Sequence, residues 1–485
     1  MGTAAAVKKT AMEFGGIAAD SREVKPGFLF AALKGVKTDG GRFLEDAVRR
    51  GAVAVLGTPD LAEHARKLGV IFIADTNPRL RLARMAAEFY AGQPNCVAAV
   101  TGTNGKTSVA HFLRQIWSSQ GHKAASLGTL GVYSPSGHVL LAHTTPDPVE
   151  LHAQLARLKH EGVDHLALEA SSHGLDQFRL DGIDVAAAAF TNITRDHLDY
   201  HATFDDYLKA KLGLFERLVR NGGVAVINRD ADHAGEFVAA SERRGLRLVT
   251  VGAHGDTLKL TGQVPHARGQ DLSVLCRGQA RTVTLPLAGL FQASNALVAA
   301  GVALGLGDRA DAVFAALATL IGAPGRLELV AQTRAGASIY VDYAHTPDAI
   351  ETVLLALRPH VKGRLLIIFG CGGDRDRGKR PLMAAAAARH ADSLIVTDDN
   401  PRSEDPAAIR RDVLQGAPNA REVRDRAEAI GLGIAALGPD DTLVIAGKGH
   451  EESQIVGTVA MPFSDRAEAV KAALALGGSA VGGGS

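Results

Sequence analysis

The residues best equipped for chemistry stand in a short glycine-rich run, TGTNGKTS, at 101–108. An apolar run at 97–100 precedes it and a helix-like stretch at 109–120 follows, which is the strand, loop, helix order of a phosphate-binding loop. Gly102, Thr103, Asn104, Gly105, Lys106, Thr107 and Ser108 are its candidate contacts. Glycines let backbone N–H groups approach phosphate, and the helix N-terminus adds partial positive charge. Lys106 can reach β- and γ-phosphates, and Thr107 can hold Mg²⁺. The loop departs from the general pattern, because the position five before Gly105 is Val100 and not glycine. Downstream, Glu169 lies just past an apolar run, and Asn192, His197 and Lys211 follow in TNITRDHLDYHATFDDYLKAK at 191–211. A carboxylate and an imidazole brought near the loop threonine make Thr107, Glu169 and His197 a ligand set for Mg²⁺ between a nucleotide and an acyl acceptor.

Such residues need a scaffold that delivers them to one place. Apolar runs at 53–56, 70–74, 97–100, 166–168, 186–190, 224–227, 365–369, 394–396 and 443–446 alternate with helix-like segments. That rhythm predicts α/β layers with largely parallel sheets. Six polar or glycine-rich clusters follow directly on these runs: TGTNGKTS, EASSHG, TNITRDH, GCGGDRDRGKRP, TDDNPR and GKGHEE. Ligands of open α/β sheets bind beyond the carboxyl ends of strands, so these clusters are the expected site lining. At 485 residues the chain exceeds one growing core. Gly-Gln-Pro at 92–94 and Ala-Pro-Gly-Arg at 323–326 mark the expected boundaries, giving domains at 1–92, 93–325 and 326–485. The tail GGSAVGGGS at 477–485 is expected to be flexible and without function.

Composition narrows the class. Hydrophobic residues make up 46% and charged residues 22%, as in an ordinary globular chain. Lys plus Arg number 53 against 52 Asp plus Glu, a net charge of +1 with no basic run, so no nucleic-acid partner is expected. The N-terminus lacks an apolar core with a cleavage site, which predicts a cytoplasmic protein. The charge-free stretch at 282–307 is broken by Gln292, Ser294 and Asn295 and reads as a buried helix, not a membrane span. Three cysteines, Cys96, Cys276 and Cys371, are too few and too scattered for a disulfide framework or a cysteine zinc site and fit a reducing compartment.

TGTNGKTS resembles the ATP-binding loop of the Mur ligase family, which also includes folylpolyglutamate synthases, and DHLDYH followed by Tyr-x-x-Ala-Lys resembles the same family's signature. The resemblance implies an ATP- and Mg²⁺-dependent amide ligase of three domains. These are an N-terminal UDP-binding α/β domain, a central P-loop ATPase-like parallel-sheet domain and a C-terminal Rossmann-like domain. It implies that Lys211, in preference to Lys209, carries a carbamate (N6-carboxylysine), and that Asn295, Arg326, Asp342 and His345 lie near ATP. By the same resemblance Ser21 in DSREVKPG and the segment Val36, Lys37, Thr38 hold uridine diphosphate. Thr144 and Thr145 in HTTPD, with Ser171, Gln177 and Arg179 in SSHGLDQFR, grip the diphosphate and muramoyl-peptide portion.

In the C-terminal third, Asp399, Asn400, Pro401 and Arg402 (DNPR) resemble the signature of family members that select meso-diaminopimelate over L-lysine. Arg375 and Arg402 can meet the distal carboxylate, Glu451 the distal ammonium and Asn400 either, while Gly447 lets backbone approach. The implied reaction joins meso-diaminopimelate to UDP-N-acetylmuramoyl-L-alanyl-D-glutamate through an acyl phosphate, in peptidoglycan precursor synthesis. A monomer with no membrane partner is expected. The alternatives are an L-lysine-adding ligase and a P-loop ATPase without an amino acid substrate.

Overall fold

The computed structural model describes residues 14–35, 38–194, 196 and 200–481. Three large sheets divide the described residues, and a separate two-stranded sheet pairs Ser453–Val456 with Val459–Pro462. The first has four parallel strands in sequence order, Gly16–Ala18, Phe28–Ala31, Ala54–Gly57 and Ile71–Ala74. Leu44, Ala47 and Val55 pack on one side of it, and Leu29, Leu56 and Leu82 on the other.

The central sheet has eleven strands. Its middle is parallel and runs Val219–Asn228, Val185–Phe190, Cys96–Thr101, His165–Glu169, Ala124–Gly128. Strands buried on both faces read as unbroken apolar runs, which is why the sequence announces four of these five; Ala124–Gly128, with Ser126 and Gly128 in it, gives no such run. Both edges of the sheet differ from that expectation of parallel pairing. One carries the antiparallel meander Leu258–His266, Gly269–Cys276 and Gln279–Leu285, the other a hairpin, Gly131–Ser134 with Gly137–Val139. The meander buries Leu272, Val274 and Cys276 on one face while Asp271 and Ser273 face solvent, so its signal is alternation and not an apolar run.

The charge-free stretch ends in the helix Phe291–Leu306, which lies on the sheet with Gly301 and Gly305 toward it. A Cβ at either glycine would stand 2.9 Å or less from a valine of that sheet, Val226 and Val251 at Gly301 and Val224 at Gly305, so both positions need the smallest residue. No helix among the described residues is long and apolar enough to cross a membrane.

The third sheet has seven strands. Arg421–Glu422, Ser393–Val396, Leu365–Phe369, Thr442–Ala446 and Ser338–Asp342 run parallel, and Glu328–Gln332 is antiparallel. Apolar layers cover both faces, the doubly wound arrangement. The tail departs from its expected flexibility: Ser479 and Ala480 pair with Gln332 and Ala331 as an edge strand. All six polar clusters begin at, or directly after, the carboxyl end of a parallel strand.

Candidate active site

The strand Cys96–Thr101 delivers the phosphate loop, and the helix Lys106–Ser119 leaves it. Gly102 (φ +154°) and Gly105 (φ +87°) have backbone conformations that side chains rarely adopt. A Cβ would meet Thr191 Oγ1 at 1.9 Å from Gly102 and Asn295 Oδ1 at 2.3 Å from Gly105. Both glycines are therefore required by the close approach of Thr191 and Asn295. The Thr103 amide donates to Asn192 O at 2.8 Å and the Asn104 amide to Asn192 Oδ1 at 2.9 Å, so the next strand's end fixes the loop. Lys106 Nζ turns back to the carbonyls of Gly102 and Thr103, each at 2.8 Å. Ser108 is buried in the helix's first turn.

Glu169 ends the neighbouring strand and is 2% exposed. Its carboxylate accepts from the Thr107 hydroxyl at 3.0 Å, the Thr129 amide at 2.9 Å and the Thr129 hydroxyl at 3.2 Å. Among the described residues it forms no ion pair. A buried carboxylate beside a P-loop hydroxyl, with the Lys106 charge near but not paired to it, is a donor set that suits a hard divalent ion. His197 lies outside the described residues, as do Val36 and Lys37.

Lys211, on the helix Phe204–Gly213, is 1% exposed. Its Nζ donates to Gly102 O at 2.8 Å and stands 4.4 Å from the centre of the Tyr207 ring. Burial, reinforced by the charge of Lys106, pushes its pKa well below the ordinary lysine value. Tyr207 reaches the loop through its hydroxyl, 2.9 Å from Thr103 Oγ1.

A second group of residues gathers beyond the same strand ends. Thr144 Oγ1 is 3.0 Å from Thr129 Oγ1, and the Thr145 hydroxyl donates to Glu169 O at 3.0 Å while accepting the Ser171 amide at 3.1 Å. Ser171 caps the short helix Ser172–Asp176 by accepting from the Gly174 amide. Arg179 donates to Thr145 O at 2.6 Å and to Gln177 Oε1 at 2.8 Å. Gln177 also meets Arg79 of the N-terminal sheet's last helix, at 3.5 Å, and Arg79 donates to Lys34 O at 2.7 Å. The backbone bond from Gly35 N to Thr38 O, 2.8 Å, places exposed Thr38 in that same loop. Ser21 is buried, and its hydroxyl bonds to Asp46.

Where the second and third sheets meet, the Arg326 guanidinium stacks 4.8 Å from the Tyr343 ring centre, and its buried Nε has no hydrogen-bond partner among the described residues. His450 approaches the same ring at 5.4 Å, and its buried Nδ1 likewise has none among the described residues. Asp342 accepts the Leu327 amide at 2.6 Å and the Ala344 amide at 2.7 Å, so it fixes the connecting segment. His345 is exposed, and its Nδ1 is 2.8 Å from Tyr343 O. Asn295 is buried and donates to Gln292 Oε1 at 3.0 Å.

The third sheet's strand ends bring the DNPR motif against the GCGGDRDRGKRP and GKGHEE loops. Asn400 Oδ1 accepts from Lys448 Nζ at 3.0 Å and the Ile455 amide at 2.9 Å, and its Nδ2 donates to Glu451 Oε2 at 3.0 Å. Lys448 is fully buried and 3.1 Å from Glu451. Arg402 has φ +50°, a left-handed backbone that costs a non-glycine residue about 1–2 kcal/mol. Bonds from Arg402 N to Ile455 O and from Gly457 N to Arg402 O hold it there. Its Nη1 donates to Gly373 O at 2.9 Å. Arg375 is exposed on the same loop, and Asp399 is buried with Gly447 against it, a Cβ at Gly447 falling 2.8 Å from Asp399 Oδ2. The Pro401 carbonyl closes on Gly373, where a Cβ would come to 1.9 Å.

Three family profiles match the chain in order: "Mur ligase family, catalytic domain" over 13–90, "Mur ligase middle domain" over 100–303 and "Mur ligase, glutamate ligase domain" over 325–449. The chain belongs to the Mur ligase family. A Bradyrhizobium diazoefficiens protein named UDP-N-acetylmuramoyl-L-alanyl-D-glutamate–2,6-diaminopimelate ligase is 55% identical over 469 residues, 96% of each chain. An Agrobacterium fabrum protein of the same name is 53% identical over 466 residues, 96% of this chain and 94% of its own. A solved structure described as a UDP-N-acetylmuramoyl-L-alanyl-D-glutamate–2,6-diaminopimelate ligase superposes with a TM-score of 0.71 at 35% identity, covering 95% of both chains. This Mur ligase is accordingly an ATP-dependent amino acid ligase.

Several residues of this Mur ligase's candidate site escaped sequence reasoning. Lys448 sits inside GKGHEE, but a glycine-flanked lysine gives no sign that it is fully buried beside Asn400. Tyr343 looks like an ordinary residue of DYAHTP until Arg326 and His450 converge on its ring. Arg79 stands 98 residues from Gln177 in a segment with no motif of its own.

Proposed function

We propose that this ligase joins meso-diaminopimelate to the γ-carboxylate of the D-glutamyl residue in UDP-N-acetylmuramoyl-L-alanyl-D-glutamate, using ATP and Mg²⁺, in the cytoplasm. The observation that carries this reading is the left-handed Arg402, whose guanidinium is pinned toward Gly373 beside the Asn400, Lys448 and Glu451 cluster. Such a pocket offers charge of both signs to the two ends of an amino acid head group. Lysine ends in an ammonium alone and would leave the guanidinium unpaired. That costs about 1–3 kcal/mol or more and provides discrimination. The names of relatives more than half identical support the same substrate.

On this reading the γ-carboxylate attacks the γ-phosphorus of ATP, ADP leaves, and the amine of diaminopimelate attacks the acyl phosphate, releasing phosphate. Lys106 leaves the Gly102 and Thr103 carbonyls to meet the phosphates. Thr107 and Glu169 would hold Mg²⁺, which would supply charge neutralisation for the transferred phosphoryl group. Lys211 becomes a carbamate: its neutral amine attacks CO₂, a C–N bond forms and a proton leaves to solvent. Arg179, Gln177 and Thr145 position the muramoyl-peptide, and Ser21 with the loop around Thr38 takes the uridine end. Arg326 and His345 approach the nucleotide from the third domain, and Asn295 braces the phosphate loop at Gly105.

The test is phosphate release measured with ATP and the UDP-dipeptide, with meso-diaminopimelate or L-lysine at equal concentration. Release should depend on both acceptor and diaminopimelate. Equal rates with lysine, or release needing neither substrate, overturns the reading.

A further inference from the structure

At the opposite end of the central sheet from the phosphate loop, a cluster stands outside everything described above. His122 lies in the turn before the strand Ala124–Gly128, and Asp164 and His165 open the strand His165–Glu169. Asp164 Oδ1 is 2.8 Å from His165 Nδ1, and Oδ2 is 3.8 Å from His122 Nδ1. The two imidazole centres are 3.9 Å apart. One ligating atom from each of the three residues lies within 4.8 Å of the others. The strand Cys96–Thr101 separates the cluster from the loop, roughly 20 Å for six residues.

We propose that His122, Asp164 and His165 form a binding site for a divalent transition ion of the Zn²⁺ class, distinct from the place where the nucleotide's Mg²⁺ belongs. Two imidazoles and one carboxylate, with water in a fourth position, are a donor set that Zn²⁺ and Cu²⁺ accept and that Mg²⁺, which demands oxygen, does not. The carboxylate already points one oxygen at each ring. His122 Nδ1 at 3.8 Å is too far for a hydrogen bond, so the second histidine gains no such bond from the arrangement. An ion at the convergence of the three side chains gives both rings a partner. A second carboxylate, Asp308, acts on both imidazoles and is held by Gln120 Nε2 at 3.2 Å, which raises the local negative charge. The side chains are 18–38% exposed, enough to admit an ion without a path through the core. Occupancy would clip the turn before one parallel strand to the start of its neighbour.

Trp117 makes the site observable. It is the chain's only tryptophan, fully buried, with its ring 4.9 Å from that of His165. Burial shields it from collisional quenching, whereas Cu²⁺ held by His165 would quench it at contact range. Cys96 pairs in register with His165, so C96S is the background that removes a soft competing ligand.

The experiment titrates the full chain with Cu²⁺ in excess Mg²⁺. The expected result is saturable quenching by one ion that Zn²⁺ reverses and Mg²⁺ does not. H122A and D164N should weaken it at least about 10-fold while ligase activity without added transition metal is unchanged. Zn²⁺ at about 100 times its Kd should raise the Tm of the parent by about 2–6 °C and leave the H122A–D164N double variant unmoved. Linear quenching without saturation, displacement by Mg²⁺, or equal affinity in H122A overturns the proposal.

Discussion

Lys106 and Lys211 donate to one carbonyl oxygen, that of Gly102, each at 2.8 Å. Two ammonium groups this close repel each other, and Lys211 is the one deep in the protein against the Tyr207 ring. Burial, with the Lys106 charge assisting, holds its pKa well below the ordinary lysine value, which favours the uncharged, nucleophilic amine. A carbamate there would convert the repulsion into attraction.

The first prediction follows from that pair. K211A should lose about 10²–10³ in kcat, and short carboxylates such as acetate should restore part of it. K211R should not recover activity, because a guanidinium stays charged and takes up no CO₂. The wild type should lose activity reversibly on removal of bicarbonate and CO₂. Activity independent of carbonate, with K211A unmoved by carboxylates, sinks the idea.

Gly372 offers a test of Arg402 that leaves Arg402 in place. A Cβ at Gly372 would come 2.7 Å from Arg402 Nη1, the far end of a flexible side chain, so G372A should fold and shift the guanidinium. The KM for diaminopimelate should rise about 10–100-fold, as expected for a misplaced charged hydrogen bond, with the KM for ATP unchanged. R402K should do the same, since lysine lacks the fork. Unaltered diaminopimelate kinetics in G372A, with stability retained, would place the carboxylate elsewhere.

How much of this was legible beforehand depends on whether a feature is local. Most parallel strands of the central and third sheets read directly, because burial on both faces writes an unbroken apolar run, whereas Ala124–Gly128, Arg247–Gly252 and Ser338–Asp342 carry polar residues or glycine and do not. The meander from Leu258 to Leu285 was passed over because one face is solvated and its code is alternation. The short strands Gly16–Ala18 and Phe28–Ala31 were too brief to stand out. At the site, the glycines of TGTNGKTS carry their own geometric reason. The shared Gly102 carbonyl joins residues 109 apart, and nothing local to DYLKAK announces it. Arg402's backbone is also silent in sequence, since arginine has no preference for positive φ and Ile455 and Gly457 impose it.

Behind that pocket, Arg426 and Asp465 form a bidentate pair, 2.6 and 2.7 Å, with both side chains fully buried. Arg426 Nη2 also donates to Ala446 O at 2.9 Å, next to Gly447. D465N leaves a buried guanidinium without its counterion and should destabilise the third domain by about 3–5 kcal/mol. Replacing both partners, as in R426M–D465L, should cost much less than the single change. Urea melts of the wild type, R426M, D465L and R426M–D465L test this, and additive losses contradict it.

His111, in the helix that leaves the phosphate loop, gives the chain an acid sensitivity with a defined sign. Burial, with the Arg114 charge assisting, pushes its imidazole down to about 3 from the ordinary 6.5. Its buried Nδ1 has no hydrogen-bond partner among the described residues, and its ring meets Tyr133 edge-on at 6.2 Å. Between those two values the unfolded chain holds a proton that the folded chain does not, so stability falls as pH falls. The contribution is complete above about pH 6.5 and declines below it by about 1.4 kcal/mol per unit until pH reaches the folded value. H111L removes the group that must be protonated. Its Tm should therefore fall less than that of the wild type between pH 7 and pH 5, even if H111L starts lower at pH 7 because leucine fits the cavity differently. A Tm difference between the two proteins that stays constant across that range would show that His111 does not carry the acid response.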